Sequence, residues 1–173
     1  MKKRSSDKVI INRKPYSSVR MPEDGFNPPV VRRFQLDDLR RVMQISTRSL
    51  SEKYSEDLMV EIFQSWPDGF LVSEQDNQIN GFLAGRKMSR SEARILMLAV
   101  EENLRNMGIG GILLEKFIDI SRIYGIIVLR LEVRTDNRKG IEFYQKHGFL
   151  VTSILRNYYS DGSDAYIMWR QLI

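Results

Sequence analysis

The sequence predicts a mixed α/β or α+β fold, a sheet of about seven strands with about four helices on its two faces. Three observations carry this. Strand-sized apolar runs alternate with amphipathic helical stripes in the order β-α-α-β-β-β-α-β-α-β-β. Gly, Pro and Asp punctuate the runs where the chain must turn. A chain of 173 residues, 42% apolar and 28% charged, has the composition of one ordinary globular domain. Such a chain buries about 70% of its unfolded surface without a disulfide or metal staple.

The elements follow in order. Val30–Phe34 reads as a short strand. Asp37-Asp38 opens a helix whose Leu39, Val42 and Met43 share a face, and acids in a first turn suit the helix dipole. Ser55-Glu56-Asp57 opens a second helix with Leu58, Ile62 and Phe63 apolar, and Pro67-Asp68-Gly69 is a turn. Phe70–Glu74 and Ile79–Arg86 form a hairpin around a polar turn, and Arg94–Val100 is the next strand. Gly108–Tyr124 is a helix with Ile112, Leu113, Phe117 and Ile120 on one stripe, ended by Gly125. Ile126–Arg134 is a strand and Arg138–Lys146 a helix closed by Gly148. Phe149–Arg156 and Ala165–Arg170 are final strands joined across Asp161-Gly162.

Composition removes whole classes of chemistry. There is no cysteine, so a disulfide framework, a zinc-thiolate site and a thiol nucleophile are excluded. With one histidine, His147, a multi-histidine metal site is out of reach and a triad relay must use that residue. No metal site is expected. The basic N-terminus lacks the apolar run of a secretory signal, and no apolar stretch is long enough to span a bilayer. The chain therefore reads as a soluble cytoplasmic protein with no membrane partner.

The net charge of +5 is unevenly placed. Residues 1–30 carry seven basic groups against three acidic ones, leaving +1 for the rest. Residues 1–29, with Pro15, Pro22 and Pro28-Pro29, are expected to form a basic extension, and residues 30–173 a single domain. The extension would suit an acidic surface such as a ribosome or an auxiliary subunit. The near-neutral body argues against sequence-specific nucleic-acid binding.

The most informative stretch runs Leu98-Ala99-Val100, a turn, then Arg105-Asn106-Met107-Gly108-Ile109-Gly110-Gly111 at the head of the long helix. A helix start exposes unpaired N–H groups and attracts phosphate, and glycine lets an anion come close. The loop lacks the Gly-Lys-Ser/Thr of a P-loop, and the third glycine of a dinucleotide fingerprint is replaced by Leu113. Arg105-x-x-Gly108-x-Gly110 resembles the coenzyme A pyrophosphate loop of the GNAT acetyltransferase superfamily. The strand ending Glu132-Val-Arg-Thr-Asp-Asn137, followed by Gly140, Tyr144 and Gly148-Phe149, is similar to that superfamily's second signature. Each of these residues also has an ordinary use. Asn137 is a good helix N-cap, Tyr144 a plausible core tyrosine, and His147 suits a helix C-terminus.

The last hairpin, Tyr158-Tyr159-Ser-Asp161-Gly162-Ser-Asp164-Ala165-Tyr-Ile-Met168, resembles N-terminal protein acetyltransferases of the RimI and NatA catalytic-subunit types, as does Leu50-Ser-Glu52-Lys-Tyr54. The resemblance spans about residues 30–172. It implies a GNAT fold with a mostly antiparallel twisted sheet, acetyl-CoA as acetyl donor, and a protein N-terminus as acceptor. It implies that Leu98, Ala99, Val100, residues 105–111, Asn137 and Tyr144 hold the coenzyme. Glu52, Tyr54, Tyr158 and Tyr159 would line the peptide site, with Glu132 as general base and Tyr144 as the acid for the leaving sulfur. Glu132 could instead serve as an ion-pair partner of Arg130 or Arg134, and Glu52 as a solvated loop carboxylate. Arg94 stands where many members carry histidine, so a neutral base is missing there and weight falls on Glu132. Two other readings stay open: a GNAT enzyme for a small amine or internal lysine, and a non-catalytic basic ribosome- or nucleic-acid-binding module.

Overall fold

A computed structural model describes residues 28–172. The expected extension therefore lies, through residue 27, outside the described residues.

The elements are β1 (Val30–Arg33), α1 (Leu39–Ser49), α2 (Glu56–Ser65), β2 (Phe70–Gln75), β3 (Gln78–Lys87), β4 (Glu92–Val100), α3 (Ile109–Ile123), β5 (Val128–Arg134), α4 (Arg138–Lys146), β6 (Leu150–Leu155) and β7 (Ala165–Gln171). Short 3₁₀ turns at 36–38, 67–69 and 102–104 introduce α1, β2 and the loop before α3. The strands form one seven-stranded sheet in the order β1-β2-β3-β4-β5-β7-β6. Every neighbouring pair is antiparallel except β4–β5.

Local chemistry explains most boundaries. The β2–β3 hairpin turns on Asp76 and Asn77, both at positive φ, as a two-residue turn with the twist of its strands requires. Ser55 caps α2 by accepting from the Leu58 amide. Ahead of α1, the buried Asp38 carboxylate accepts from the Gln35 amide at 2.8 Å and from Arg32 at 2.7 Å. Burial alone would push this acid up, but the Arg32 guanidinium and the Gln35 amide hold it below its ordinary value.

Two cores cover the sheet. One face packs Leu71, Leu83, Leu129 and Leu131 against Leu113, Leu114, Phe117 and Ile118 of α3, with Phe143 and Tyr144 of α4 at its margin. The other packs Val72, Phe82 and Ala84 against Val42 and Ile45 of α1 and Met59 and Ile62 of α2. Along α3 the fully buried stripe is Leu113-Leu114-Phe117-Ile118-Ser121, whereas Ile112 and Ile120 of the expected stripe are only half-buried. The helix lies close enough to β3 that a Cβ on Gly85 would sit 2.4 Å from the Phe117 ring.

One irregularity shapes the whole site. Met97 pairs with Ala84 but Ile95 pairs with Gly85, so Leu96 is an extra residue in β4. A regular strand would send residues 93, 95, 97 and 99 to one face. Here Ala93 and Ile95 enter the α3 core, while Met97 and Ala99 enter the α1–α2 core.

Candidate active site

The bulge falls where β4 and β5 part. Their parallel pairing covers only Glu92–Ile95 and Val128–Leu131, and past these residues the strands diverge. The opening is a cleft of about 260 Å³. It is lined by residues 49–52 and Tyr54 from the α1–α2 loop, residues 95–98 of β4, residues 131–134 of β5, Asn137 and Tyr144 of α4, and Tyr159 of the β6–β7 hairpin.

At one end the cleft is made of backbone. The Glu101 amide donates to Asn80 O, which makes Gly81–Val100 a non-hydrogen-bonded pair and Phe82–Ala99 a bonded one. By that alternation the polar backbone groups of Leu98 and Val100 face the opening, while those of Ala99 are spent on β3. The expectation that the Ala99 amide serves the slot is thereby corrected. Its parity is fixed by the pairing with β3, which the residue types do not encode. Val100 O accepts from Arg105 Nε at 3.2 Å and from Ser49 Oγ at 3.3 Å, so Arg105 folds back onto the strand end.

The turn into α3 holds Asn106 and Gly108 at φ of 64° and 87°. Nothing lies within 4 Å of where a Gly108 side chain would begin. The first intrahelical bond of α3 runs from the Ile112 amide to Gly108 O, so the amides of Ile109, Gly110 and Gly111 have no partner within the helix. No acidic residue occupies that first turn. Open glycine, free amides and two slot-facing strand residues fit an anionic, amide-bearing coenzyme, a pyrophosphate on a pantetheine arm. The side chain of Met107 is exposed. Gly111 also eases the approach of α3 to α4, since a Cβ there would lie 3.3 Å from His147 Nε2, whereas one on Gly110 would make ordinary contact with Phe143.

Tyr144 lines the cleft from α4. Its ring packs edge-on to Phe143 and Phe149, and burial, then the nearby Tyr159, pushes its phenol well above the ordinary range. It therefore stays protonated. Asn137 caps α4, its Oδ1 accepting from the Gly140 amide at 2.9 Å, and lines the cleft as well. His147 is held by its own helix, Nδ1 lying 2.8 Å from Phe143 O.

The other end of the cleft is a lattice of side chains. Glu132 is 4% exposed and gripped by two arginines. Arg94 Nε donates to Oε2 at 2.7 Å, while Arg130 Nε and Nη2 reach Oε1 at 2.9 and 2.8 Å. A carboxylate offers about four lone-pair sites, and the hydrogen bonds from the two arginines leave a lone pair open. Arg94 Nη2 also donates to the Tyr158 hydroxyl at 2.5 Å. Tyr158 meets Tyr159 edge-on, and the Arg134 guanidinium lies 4.7 Å from the Tyr159 ring centre. Arg134 in turn pairs with Asp161 at 2.5 Å and approaches Glu52 at 4.0 Å. Glu52 accepts from Ser160 Oγ at 3.1 Å, so the two walls touch. Burial, then Glu52, raises the Tyr54 phenol, and burial likewise raises Tyr159.

The fold thus brings Glu52, Tyr54, Glu132, Asn137, Tyr144 and Tyr159 to one cleft. Tyr158 is not on the cleft wall but beside it, on Arg94. Sequence reasoning named Arg130 or Arg134 as an ion-pair partner for Glu132, and Arg130 takes that place; it missed Arg94 as the second partner and the contacts of Arg134 with Asp161 and Glu52. The signal present was the even spacing of the arginines with Glu132 along strands, which puts basic and acidic groups on one face.

Residues 39–149 match the acetyltransferase (GNAT) family. The chain is 30% identical to an N-alpha-acetyltransferase of Sulfurisphaera tokodaii over 150 residues, 80% of this chain and 90% of that one. Ard1 from Thermoplasma volcanium superposes with a TM-score of 0.83 at 42% identity, covering 85% of this chain and 99% of that one. The ribosomal-protein-S18-alanine N-acetyltransferase of Escherichia coli superposes with a TM-score of 0.73 at 28% identity, covering 83% and 94%.

Proposed function

The chain belongs to the GNAT acetyltransferase family and is an acetyl-CoA-dependent N-acetyltransferase, and from that premise we propose that its acceptor is the free α-amine of a protein N-terminus, attacking directly in a ternary complex. The observation that carries this reading is the two-walled cleft. Glu52 and Tyr54 line it from the α1–α2 loop and Tyr159 from the β6–β7 hairpin, with Tyr144 lining it as well, and Glu52 meets the hairpin at Ser160. An extended peptide needs both walls, whereas a small amine needs neither. Relatives named as N-alpha-acetyltransferase and as S18-alanine N-acetyltransferase support the same acceptor.

Acetyl-CoA supplies the activated thioester. The residues of the chain do the rest. The free amides at the head of α3 hold the pyrophosphate, and Leu98 and Val100 align the pantetheine arm. The Val100 N–H is available to the polarised carbonyl. Tyr144, kept protonated by burial, donates to the departing sulfur. Glu132 accepts the amine's proton through water on the lone pair its arginines leave. An α-amine of pKa about 7.7–8.0 asks little of that carboxylate, and a lysine near 10.4 would ask more. The excess of basic groups in residues 1–29 suits an acidic surface such as that of a ribosome or auxiliary subunit, in the cytoplasm where nascent chains emerge. Among the described residues no helix is long and apolar enough to cross a membrane.

The test is a panel of peptides varied at residues one and two, with N-blocked lysine-containing peptides and small amines beside it, read by mass. The expected result is one acetyl group on free N-termini only. Acetylation of blocked peptides at lysine, or of small amines alone, would overturn the reading.

A further inference from the structure

Arg94 draws together two groups that lie 26 residues apart in sequence, Glu132 on β5 and Tyr158 on the β6–β7 hairpin. The bond to Glu132 uses Nε and the bond to Tyr158 uses Nη2. These two nitrogens share one edge of the guanidinium, with parallel N–H directions. That edge normally meets both oxygens of one carboxylate. Here it is divided between a carboxylate that lines the cleft and a phenol that stands beside it.

The division matters because Tyr158 has little else to hold it. Its side chain is 41% exposed and it follows Asn157, which sits at a φ of 51°. The rest of the hairpin is tied elsewhere, through Arg134 to Asp161 and through Arg156 to Asp164. Tyr158 in turn braces Tyr159, which lines the cleft. Glu132 keeps a second arginine, Arg130, whose guanidinium lies 5.8 Å from the Trp169 ring centre. Loss of Arg94 would therefore leave Glu132 charged and paired but free to swing about Arg130. Tyr158, the brace of the wall tyrosine, would lose its anchor at the same time.

We propose that Arg94 is a positioning residue that couples the peptide wall to the orientation of Glu132, so that seating the substrate against Tyr159, which Tyr158 braces, and aiming the carboxylate are one event. This rests on the peptide-N-terminus reading above. Lysine cannot substitute for it. An ammonium is a point charge that can neutralise Glu132 but cannot span both acceptors with fixed directions.

Steady-state kinetics with peptide and acetyl-CoA varied separately test the coupling in wild type, Arg94→Gln, Arg94→Lys, Tyr158→Phe and the Arg94→Gln/Tyr158→Phe double variant. Arg94→Gln is expected to lower kcat about tenfold and raise peptide KM about fivefold, a loss typical of one charge-assisted bond, with acetyl-CoA KM unchanged. Tyr158→Phe raises peptide KM about threefold, as for one lost bond, and lowers kcat in the same direction as Arg94→Gln but less, because Glu132 keeps both arginines while Arg94 loses its second acceptor. The double variant has the peptide KM of Arg94→Gln, because both changes cut the same link. Arg94→Lys recovers part of kcat and none of the peptide KM. Additive effects in the double variant, or full recovery of both constants by lysine, would overturn the coupling. If Arg94→Gln does not fold, an unchanged peptide KM in Tyr158→Phe overturns it alone. A wild type that fails to acetylate peptide N-termini sinks the functional reading, whereas an active wild type with indifferent variants sinks only this inference.

Discussion

The strand end and helix start that run from β4 to the head of α3 offer backbone, and the part of the cleft beneath the β6–β7 hairpin is made of side chains. The first is drawn from one stretch, residues 98–111, whose amides, left-handed turn and helix start come in sequence order. The second is drawn from four places: the loop at 49–54, Arg94, residues 130–134 and the hairpin at 158–161. A backbone site tolerates many side chains but is sensitive to anything that changes φ. A side-chain lattice tolerates backbone variation but can be broken by one atom. The two ends therefore suit different tasks, holding an unvarying coenzyme and discriminating among peptides.

The sharpest break should come where the halves meet. Tyr144→Phe removes one oxygen and leaves the ring packing on Phe143 and Phe149 intact. We expect kcat to fall by about 10²-fold, the usual worth of a placed acid, with both KM values within about twofold. A pH profile checks the assignment. Burial raises the phenol above its ordinary value, so its proton stays on throughout the working range. Wild-type kcat should then show no basic limb below about pH 10, the ordinary tyrosine value. In both proteins kcat/KM should climb as the substrate amine loses its proton near pH 8.

A smaller effect is expected from Gly108→Val. Space is open at that position, so no clash arises, but the φ of 87° is costly for a branched residue. At about 1–2 kcal/mol, acetyl-CoA KM should rise about tenfold while peptide KM holds. If peptide KM moved instead, the division of the cleft into backbone and side-chain halves would be wrong.

The smallest effect should be that of Gly140→Ala. A Cβ there would lie 2.6 Å from Asn137 Nδ2, so the capping amide must turn. The helix gains about 1 kcal/mol of propensity and loses about as much of its cap. A thermal melt should move by no more than about 3 °C, and a coenzyme titration should weaken only slightly. A large loss of coenzyme affinity would show that Asn137 holds the ligand rather than the helix.

Read from residues alone, the chain already declared its elements, because apolar period, caps and turn residues act over a few positions. All seven strands and four helices lie close to where the periodicity puts them, with shifts of one or two residues at most ends. The shape of the 98–111 loop was legible for the same reason: a strand end, a glycine turn and a helix start are local objects. The Leu96 bulge was not legible, since residues 92–100 alternate in burial without a break and nothing in that pattern reveals which core each side chain enters. Nor was the parity that turns Leu98 and Val100, but not Ala99, toward the cleft. Least legible was Arg94. As a letter in β4 it marked only the absence of a histidine. Its two partners lie 38 and 64 residues away. A guanidinium's meaning is set by which acceptors stand within about 3 Å of it, and strand pairing and loop closure alone bring those acceptors there.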